Sequence, residues 1–578
     1  MMSLRLLPFI AVRRAALGLL ALAMLSAALS PIARAQDSPD ERRCTGQWRA
    51  SNEERIASCT ALLDSGRYQQ PNLAILHHDR GVALRAKGDI GGAINDFAEA
   101  IKLNPDYARA YADRGSARLM QHNVSGAIAD LDAAIGLEPN DAGALMTRGN
   151  AFDEKGDFDR AIADYNDAIR LSPNYAAAYF NRGLTFRRKG DFEHAIADYD
   201  QAIKLDPKNA SALNNRGIVW FEKGDLDRAI ADYNLALRID PNFAPAHNNR
   251  GDAWRGKNDL TRALADFDRA IQISPQFALA YDNRGLVYYQ KRDFDHAISD
   301  FDAAIRLDPN NAEAYSNRGN AHDDKGDRGA AIADYNEAIR IDPNNARFYY
   351  NRGMAYRRDG DLDRAIADLG EAIRLNPQQA NAYNERGYAY YQKRDFVRAI
   401  PDYDQAIKLS PKFAVAFNNR GNAFDDKGES DHAIADYNEA LKIDPGYAAA
   451  VYNRGIAWRR KGDVDRALAD YDQAIKLNPT AAAFNNRGSA WIAKGEPERA
   501  VADLDQAIKL DPRLADADRA IAFNAHSASA FSTRGLIRER LADRAGAIAD
   551  FREALKIDPS FQQPAEGLQR LKAGPASR

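Results

Sequence analysis

The sequence predicts an all-α protein built as one long array of helix–turn–helix units. Three observations predict it. An Arg-Gly pair recurs with its glycine at 81, 115, 149, 183, 217, 251, 285, 319, 353, 387, 421 and 455, every step 34 residues, and again at Gly488 and Gly535. Apolar residues recur at helical spacing on both sides of a central Lys-Gly-Asp turn. A proline closes each unit, from Pro105 to Pro559. Self-similarity at such a period marks an array whose units bury their apolar faces only against their neighbours. The 578 residues therefore need no division into several ordinary cores.

Ahead of the array, residues 1–35 read as a secretory signal peptide. Arg5, Arg13 and Arg14 make a basic start, Ala15 to Leu29 are almost purely apolar, and Ala33-Arg34-Ala35 is a small-x-small cleavage site. The alternative, an uncleaved anchor, needs an apolar run of about 20 residues, and this one is shorter. Cleavage between Ala35 and Gln36 removes four arginines and takes the formal net charge from −3 to −7. A mildly acidic chain with well-mixed charge has no electrostatic reason to bind nucleic acid or an anionic membrane. The expected location is periplasmic or secreted, with no membrane insertion after cleavage. Residues 36–73 read as an N-terminal capping segment. It holds the two cysteines of the chain, Cys44 and Cys59, close enough to pair in an oxidising compartment. Two unrelated thiols are the alternative. A loop of that size, once closed, stabilises by about 3 kcal/mol in the chain-entropy account. Asn52–Leu63 reads as an orphan second helix covering the first unit.

The array proper runs over 74–561 as fourteen units, and Ala312–Asn345 shows the plan. Gly326 stops the first helix and Asp327 caps the second. Pro343 separates one unit from the next, because proline cannot continue a helix and biases its predecessor away from helical angles. Gly319 lies inside the first helix, where glycine costs about 1 kcal/mol against alanine; its recurrence calls for close helix–helix approach. Ala331 and Ala338 are small surfaces on the second helix, and Tyr335, elsewhere Phe or Leu, fills the space between helices. An insert at about 513–525 displaces the last unit, and residues 562–578 supply a final capping helix with Leu568 and Leu571, then a tail.

This pattern closely resembles the tetratricopeptide-repeat (TPR) family: the 34-residue length, the glycine in the first helix, the frequent aromatic three residues later, the Ala–aromatic–Ala of the second helix and the terminal proline. The resemblance implies a right-handed α–α superhelix whose first helices line a concave groove and carry most ligand contacts. One departure is consistent: the residue before the glycine is Arg, where the family usually has Leu. Sixteen residues after each such Arg stands an Asp, as in Arg318 with Asp334 and Arg454 with Asp470. An acid and a base repeated in lockstep predict a charge-assisted, often bidentate, hydrogen bond within or between units.

Four and five residues after the glycine a second periodicity appears. Tyr289-Gln290, Asp323-Asp324, Arg357-Arg358, Tyr391-Gln392, Asp425-Asp426 and Arg459-Arg460 follow in turn, an aromatic–acidic–basic cycle of 102 residues. Segmental duplication alone produces such a pattern. The functional reading is a groove of alternating rungs suited to an extended peptide of mixed charge, with aromatic platforms. On that reading Tyr289, Asp323, Asp324, Arg357, Arg358, Tyr391, Asp425, Asp426, Arg459 and Arg460 are the partner-binding candidates. The clamp by which some TPR proteins hold chaperone C-termini needs a lysine three residues before the glycine, and none of the units has it.

No catalytic constellation stands out. His77 and His78 are adjacent, so a helix points them to different faces. His322 occupies the aromatic slot of its unit and reads as a packing residue. Asp323-Asp324-Lys325-Gly326-Asp327 lacks calcium-loop spacing, and there is no phosphate-binding glycine loop or nucleophile motif. The sequence thus predicts a non-enzymatic scaffold of the cell envelope that binds a protein or peptide partner, with no cofactor and no metal. An accessory subunit of an envelope enzyme or export complex, and a self-assembling array, are the alternatives.

Overall fold

Two residues at each turn dictate the hairpin. In the unit around Gly319, Gly326 adopts φ 99° and ends the first helix in the left-handed region that glycine alone enters without strain. Asp327 then accepts a hydrogen bond from the Ala330 amide and caps the second helix. The computed structural model describes residues 38–511, 528–540 and 542–572, and among them every regular element is a helix. The signal-like segment 1–35 and the insert at about 513–525 lie outside the described residues.

Residues 1–253 and 254–578 form two units. In the first, the short helix Pro39–Cys44 and the helix Asn52–Asp64 precede five hairpins, from Asn72–Lys87 with Ile90–Leu103 to Ala210–Glu222 with Leu226–Ile239. Cys44 and Cys59 are fully buried and joined by a disulfide, packed with Leu62 and Leu76. The second unit carries eight hairpins, from Ala278–Gln290 with Phe294–Leu307 to Ala528–Arg540 with Arg544–Ile557. The helix Gln562–Arg570 follows and sets Leu568 against Ala547 and Phe551. Within each unit, successive first helices touch one another as far as Ala481–Lys494, whereas among the described residues successive second helices do not. That asymmetry places the first helices on the inner side of each stack.

Packing explains the fixed glycine. A Cβ on Gly319 would lie 2.8 Å from the Tyr335 ring, and one on Gly149 2.6 Å from Tyr165. Tyr335 is 1% exposed, and Ala331 and Ala338 are fully buried beside it. The small residues let the two helices approach until one ring fills the gap.

The arginine before the glycine bonds twice to the aspartate sixteen residues later. Arg318 donates from Nε to Asp334 Oδ2 at 3.0 Å and from Nη2 to Oδ1 at 2.5 Å. Arg454 does the same to Asp470 at 2.8 and 2.7 Å. In most hairpins the third nitrogen of the fork reaches the second helix of the preceding hairpin: Arg318 Nη1 to Asp302, Arg454 Nη1 to Asn438. At the start of the array Arg80 finds Thr60 of the capping helix in that position, at 3.1 Å. One guanidinium thus joins three helices, which a lysine's point charge cannot reproduce. Burial opposes the charge of Arg318, but its hydrogen bonds to Asp334 and Asp302 raise its pKa nonetheless.

A further coupling was not anticipated from the sequence. Wherever the residue three after the glycine is aromatic, the residue eleven after it is Arg or His. The structure stacks the two: Arg228 over Trp220 at 3.8 Å, Arg262 over Trp254 at 3.6 Å, Phe186 against His194 at 5.1 Å. In the Gly319 hairpin both change together, to His322 and Ala330. His322 is partly buried, and its Nδ1 is buried without a hydrogen-bond partner.

Candidate functional site

The first-helix face is where side chains differ most from hairpin to hairpin, and one rule orders its charges. The residue four after the glycine of one hairpin meets the residue five after the glycine of the next. Asp153 accepts from Arg188 at 2.5 Å, and Arg187 donates to Glu222 at 3.3 Å. Tyr289 donates its hydroxyl proton to Asp324 at 2.6 Å, and Tyr391 to Asp426 at 2.8 Å. Asp323 pairs with Arg358, and Asp425 with Arg460 at 2.6 Å. Helical geometry causes this, because these positions lie one above the other where adjacent first helices touch.

The candidate residues therefore do not stand as separate acidic, basic and aromatic rungs. Asp323 and Asp425 are buried, at 9% and 5% exposure, and hold Arg358 and Arg460 across the seam. Burial raises the pKa of Asp425 against the lowering effects of Ser430 and Arg460. Asp324 and Asp426 accept hydrogen bonds from the tyrosine hydroxyls. Burial and the Asp426 hydrogen bond push the Tyr391 hydroxyl up to about 12, so it remains a donor through the physiological range. Arg357 lies 3.3 Å from Glu385 and 5.0 Å from the centre of the Tyr388 ring. Arg459 has no carboxylate within ion-pair distance among the described residues. The alternation visible in the sequence is in large part the complementarity of neighbouring hairpins.

Beside this seam runs a second line of contacts, which sequence reading did not connect. Asparagines two residues before the glycine donate to the preceding hairpin. Asn181 donates to Asn150 at 2.9 Å, Asn351 to Asn320 at 3.1 Å, and Asn453 to Asn418 at 3.0 Å. Asn150, Asn320 and Asn422 also accept from the buried Tyr165, Tyr335 and Tyr437 hydroxyls at 2.8 Å. Their recurrence one residue after the glycine was the available signal. His77 and His78 point apart: His77 Nδ1 lies 3.0 Å from Asp96, and His78 Nε2 2.8 Å from Asp113, which also holds Arg85 at 2.8 Å. Among the described residues no group of three or more His, Cys, Asp or Glu side chains is arranged to hold a metal ion, and no helix is long and apolar enough to cross a membrane.

Stacked hairpins, a ring or a leucine packed against the first-helix glycine, and a polar inner face define an α-helical repeat scaffold of a kind that is generally non-catalytic and serves protein–protein interaction. The chain belongs to the tetratricopeptide-repeat family: models described as "Tetratricopeptide repeat" match residues 184–244, 283–346, 350–414, 418–482, 452–515 and 528–561, and one described as "TPR repeat" matches 81–122, 149–190 and 251–291. No curated protein matches the chain. Similar solved structures include the anaphase-promoting-complex hetero-tetramer Cut9–Hcn1, at 15% identity over 81% of this chain and 96% of that one, with a TM-score of 0.36. MamA is 30% identical over 30% of this chain and 93% of that one, with a TM-score of 0.27. Yeast Tom70 is 18% identical over 75% of this chain and 95% of that one, with a TM-score of 0.34.

Proposed function

We propose that this protein is an exported scaffold of the cell envelope that holds a partner polypeptide along the inner, first-helix face of its repeats. The observation that carries the reading is the contrast between the two faces of each first helix. The face toward the second helix repeats the same glycine, alanine and arginine. The inner face carries Asn, Tyr, Arg and Asp in combinations that change from hairpin to hairpin. Side-chain amides and tyrosines along a groove suit the backbone and side chains of an extended segment. The basic–apolar–small segment at residues 1–35 and the disulfide Cys44–Cys59 support export into an oxidising compartment. No step of the reading requires a cofactor.

A pull-down from envelope extract tests it, comparing the mature chain Gln36–Arg578 with the double variant Arg357→Glu, Arg459→Glu. Arg358 and Arg460 are spared, because each neutralises a buried aspartate and its reversal would loosen the stack. A partner captured by the mature chain and lost by the variant, with unchanged helicity, supports the reading. Equal capture by both moves the function off the first-helix face. Fractionation of cells with the Ala35–Gln36 junction intact or altered reads the export step.

A further inference from the structure

The four-to-five seam supplies its own carboxylates at several hairpins, and at Arg459 it supplies none. Arginines four residues after the glycine recur along the array. Arg187 meets Glu222, five residues after the next glycine. Arg357 faces Gln392 at that position and turns instead to Glu385, two residues before the next glycine. Arg85 likewise turns to Asp113, two before its next glycine. For Arg459 the same two positions of the following hairpin hold Ala493 and Asn486, neither of them acidic. Asn486 is engaged with the Tyr452 hydroxyl at 2.7 Å. The adjacent Arg460 is already neutralised by Asp425 and Asp426. What Arg459 meets instead is the buried Tyr471 hydroxyl, a neutral neighbour on which its charge and its side-chain hydrogen bond act and which supplies no negative charge. At the Gly421 hairpin an asparagine, Asn422, accepts the equivalent proton, whereas here Ile456 occupies that position.

A half-buried guanidinium on the inner face, near Tyr452 and Tyr471 and without the acid that Arg85, Arg187 and Arg357 each meet, is a receptor for an acid from outside. We infer that Arg459 binds an aspartate or glutamate side chain of an extended partner segment lying along the first helices, in the position that Glu222 fills for Arg187. The inference rests on the proposed polypeptide-binding role of this face and specifies one residue type of the partner.

The test begins with a library of random twelve-residue peptides fused at their C-termini to phage coat protein, selected on the full mature chain. No displayed peptide then has a free terminal carboxylate. Selected peptides are expected to share an Asp or Glu at one position. The leading peptide, made synthetically with an amidated C-terminus, is expected to bind at least about tenfold more weakly to Arg459→Gln. A comparable loss is expected with Ala493→Glu, which supplies the acid from within, and on replacing the peptide's shared acid by its amide. Arg459→Lys is expected to retain part of the affinity. Affinity unchanged by Arg459→Gln overturns the inference, as does affinity unchanged on replacing the peptide's shared acid by its amide. Selection of no peptide overturns the polypeptide-binding reading of the face itself. An arm without ligand separates the two. Ala493→Glu is expected to raise the melting midpoint in the native background and not in Arg459→Gln, and an equal effect in both backgrounds refutes the geometry.

Discussion

Replacing Gly421 by alanine tests the principle on which every hairpin is packed. A Cβ at this position would lie 2.7, 3.0 and 3.1 Å from Cε1, Cδ1 and Cζ of Tyr437. That ring is 1% exposed, and its hydroxyl is tied to Asn422 at 2.8 Å, so it has nowhere to retreat. Alanine would gain roughly 1 kcal/mol of helix propensity over glycine. Against this stand overpacking, about 1–3 kcal/mol, and about 1 kcal/mol for a hydrogen bond strained as the ring yields. The net expectation is a local loss of about 1–3 kcal/mol. Gly136 is the internal control: it lies in the helix Val124–Leu137, and nothing stands within 4 Å of a Cβ built there. Gly136→Ala should therefore stabilise by about 1 kcal/mol. Repeat arrays unfold in parts, so the suitable assay is amide hydrogen exchange, hairpin by hairpin. Protection over 414–443 should fall roughly five- to hundredfold in Gly421→Ala, while protection over 124–137 rises in Gly136→Ala. Equal stabilisation by both would show that the glycine is not there for the ring.

Other perturbations follow from the same contacts. Arg454→Ala leaves Asp470, 6% exposed, without its guanidinium and should cost about 3–5 kcal/mol in the local exchange free energy over 448–477. The double change Arg454→Met, Asp470→Leu should recover most of it, because no charge is left buried. Burial disfavours the charged form of His78, but Asp113 and Asp79 overcome it and raise its pKa above the ordinary imidazole value near 6.5. That contribution is fully present below pH 6.5 and is lost as pH rises through the folded-state value, so exchange over 72–103, corrected for intrinsic rates, should accelerate across that window and cease to do so in His78→Phe. Arg394 sits at φ 60° where most hairpins place a glycine, and Arg394→Gly should stabilise the turn by about 1 kcal/mol in thermal melts. Reduction of Cys44–Cys59 should raise exchange in 39–64 and leave the hairpins from Ala142 onward unchanged, since each touches only its neighbours.

The fold was legible because its determinants are local and repeated. The glycine, the turn residue (aspartate in most units) and the closing proline each act within a few residues, and fourteen repeats make their spacing unmistakable. The Arg–Asp spacing was equally visible, but its third bond, to Asp302 or Asn438, depends on how one hairpin leans on the last. The first-helix face was legible as a pattern and not as contacts. Its periodicity of aromatic, acid and base is plain in the sequence, whereas the pairing of Asp323 with Arg358 across 35 residues emerges only when adjacent first helices are in contact. The stacking of Arg or His on the aromatic ring was missed because its partners lie eight residues apart on two different helices, a separation no single-helix rule associates.

The four-to-five seam makes the array directional, since a hairpin that takes part in it offers its fourth residue downstream and its fifth upstream. Removing the Gly353 hairpin alone would bring the buried Asp323 opposite Gln392 in place of Arg358. Removing the three hairpins around Gly319, Gly353 and Gly387 together would bring Tyr289 opposite Asp426, the same chemistry it now meets in Asp324. The stack therefore tolerates changes of length in steps of three and resists steps of one. Like a rope whose strands return to the same order only after a full lay, it can be cut and spliced cleanly at one phase, and a lengthened or shortened version of this protein should keep its fold only when the phase is respected.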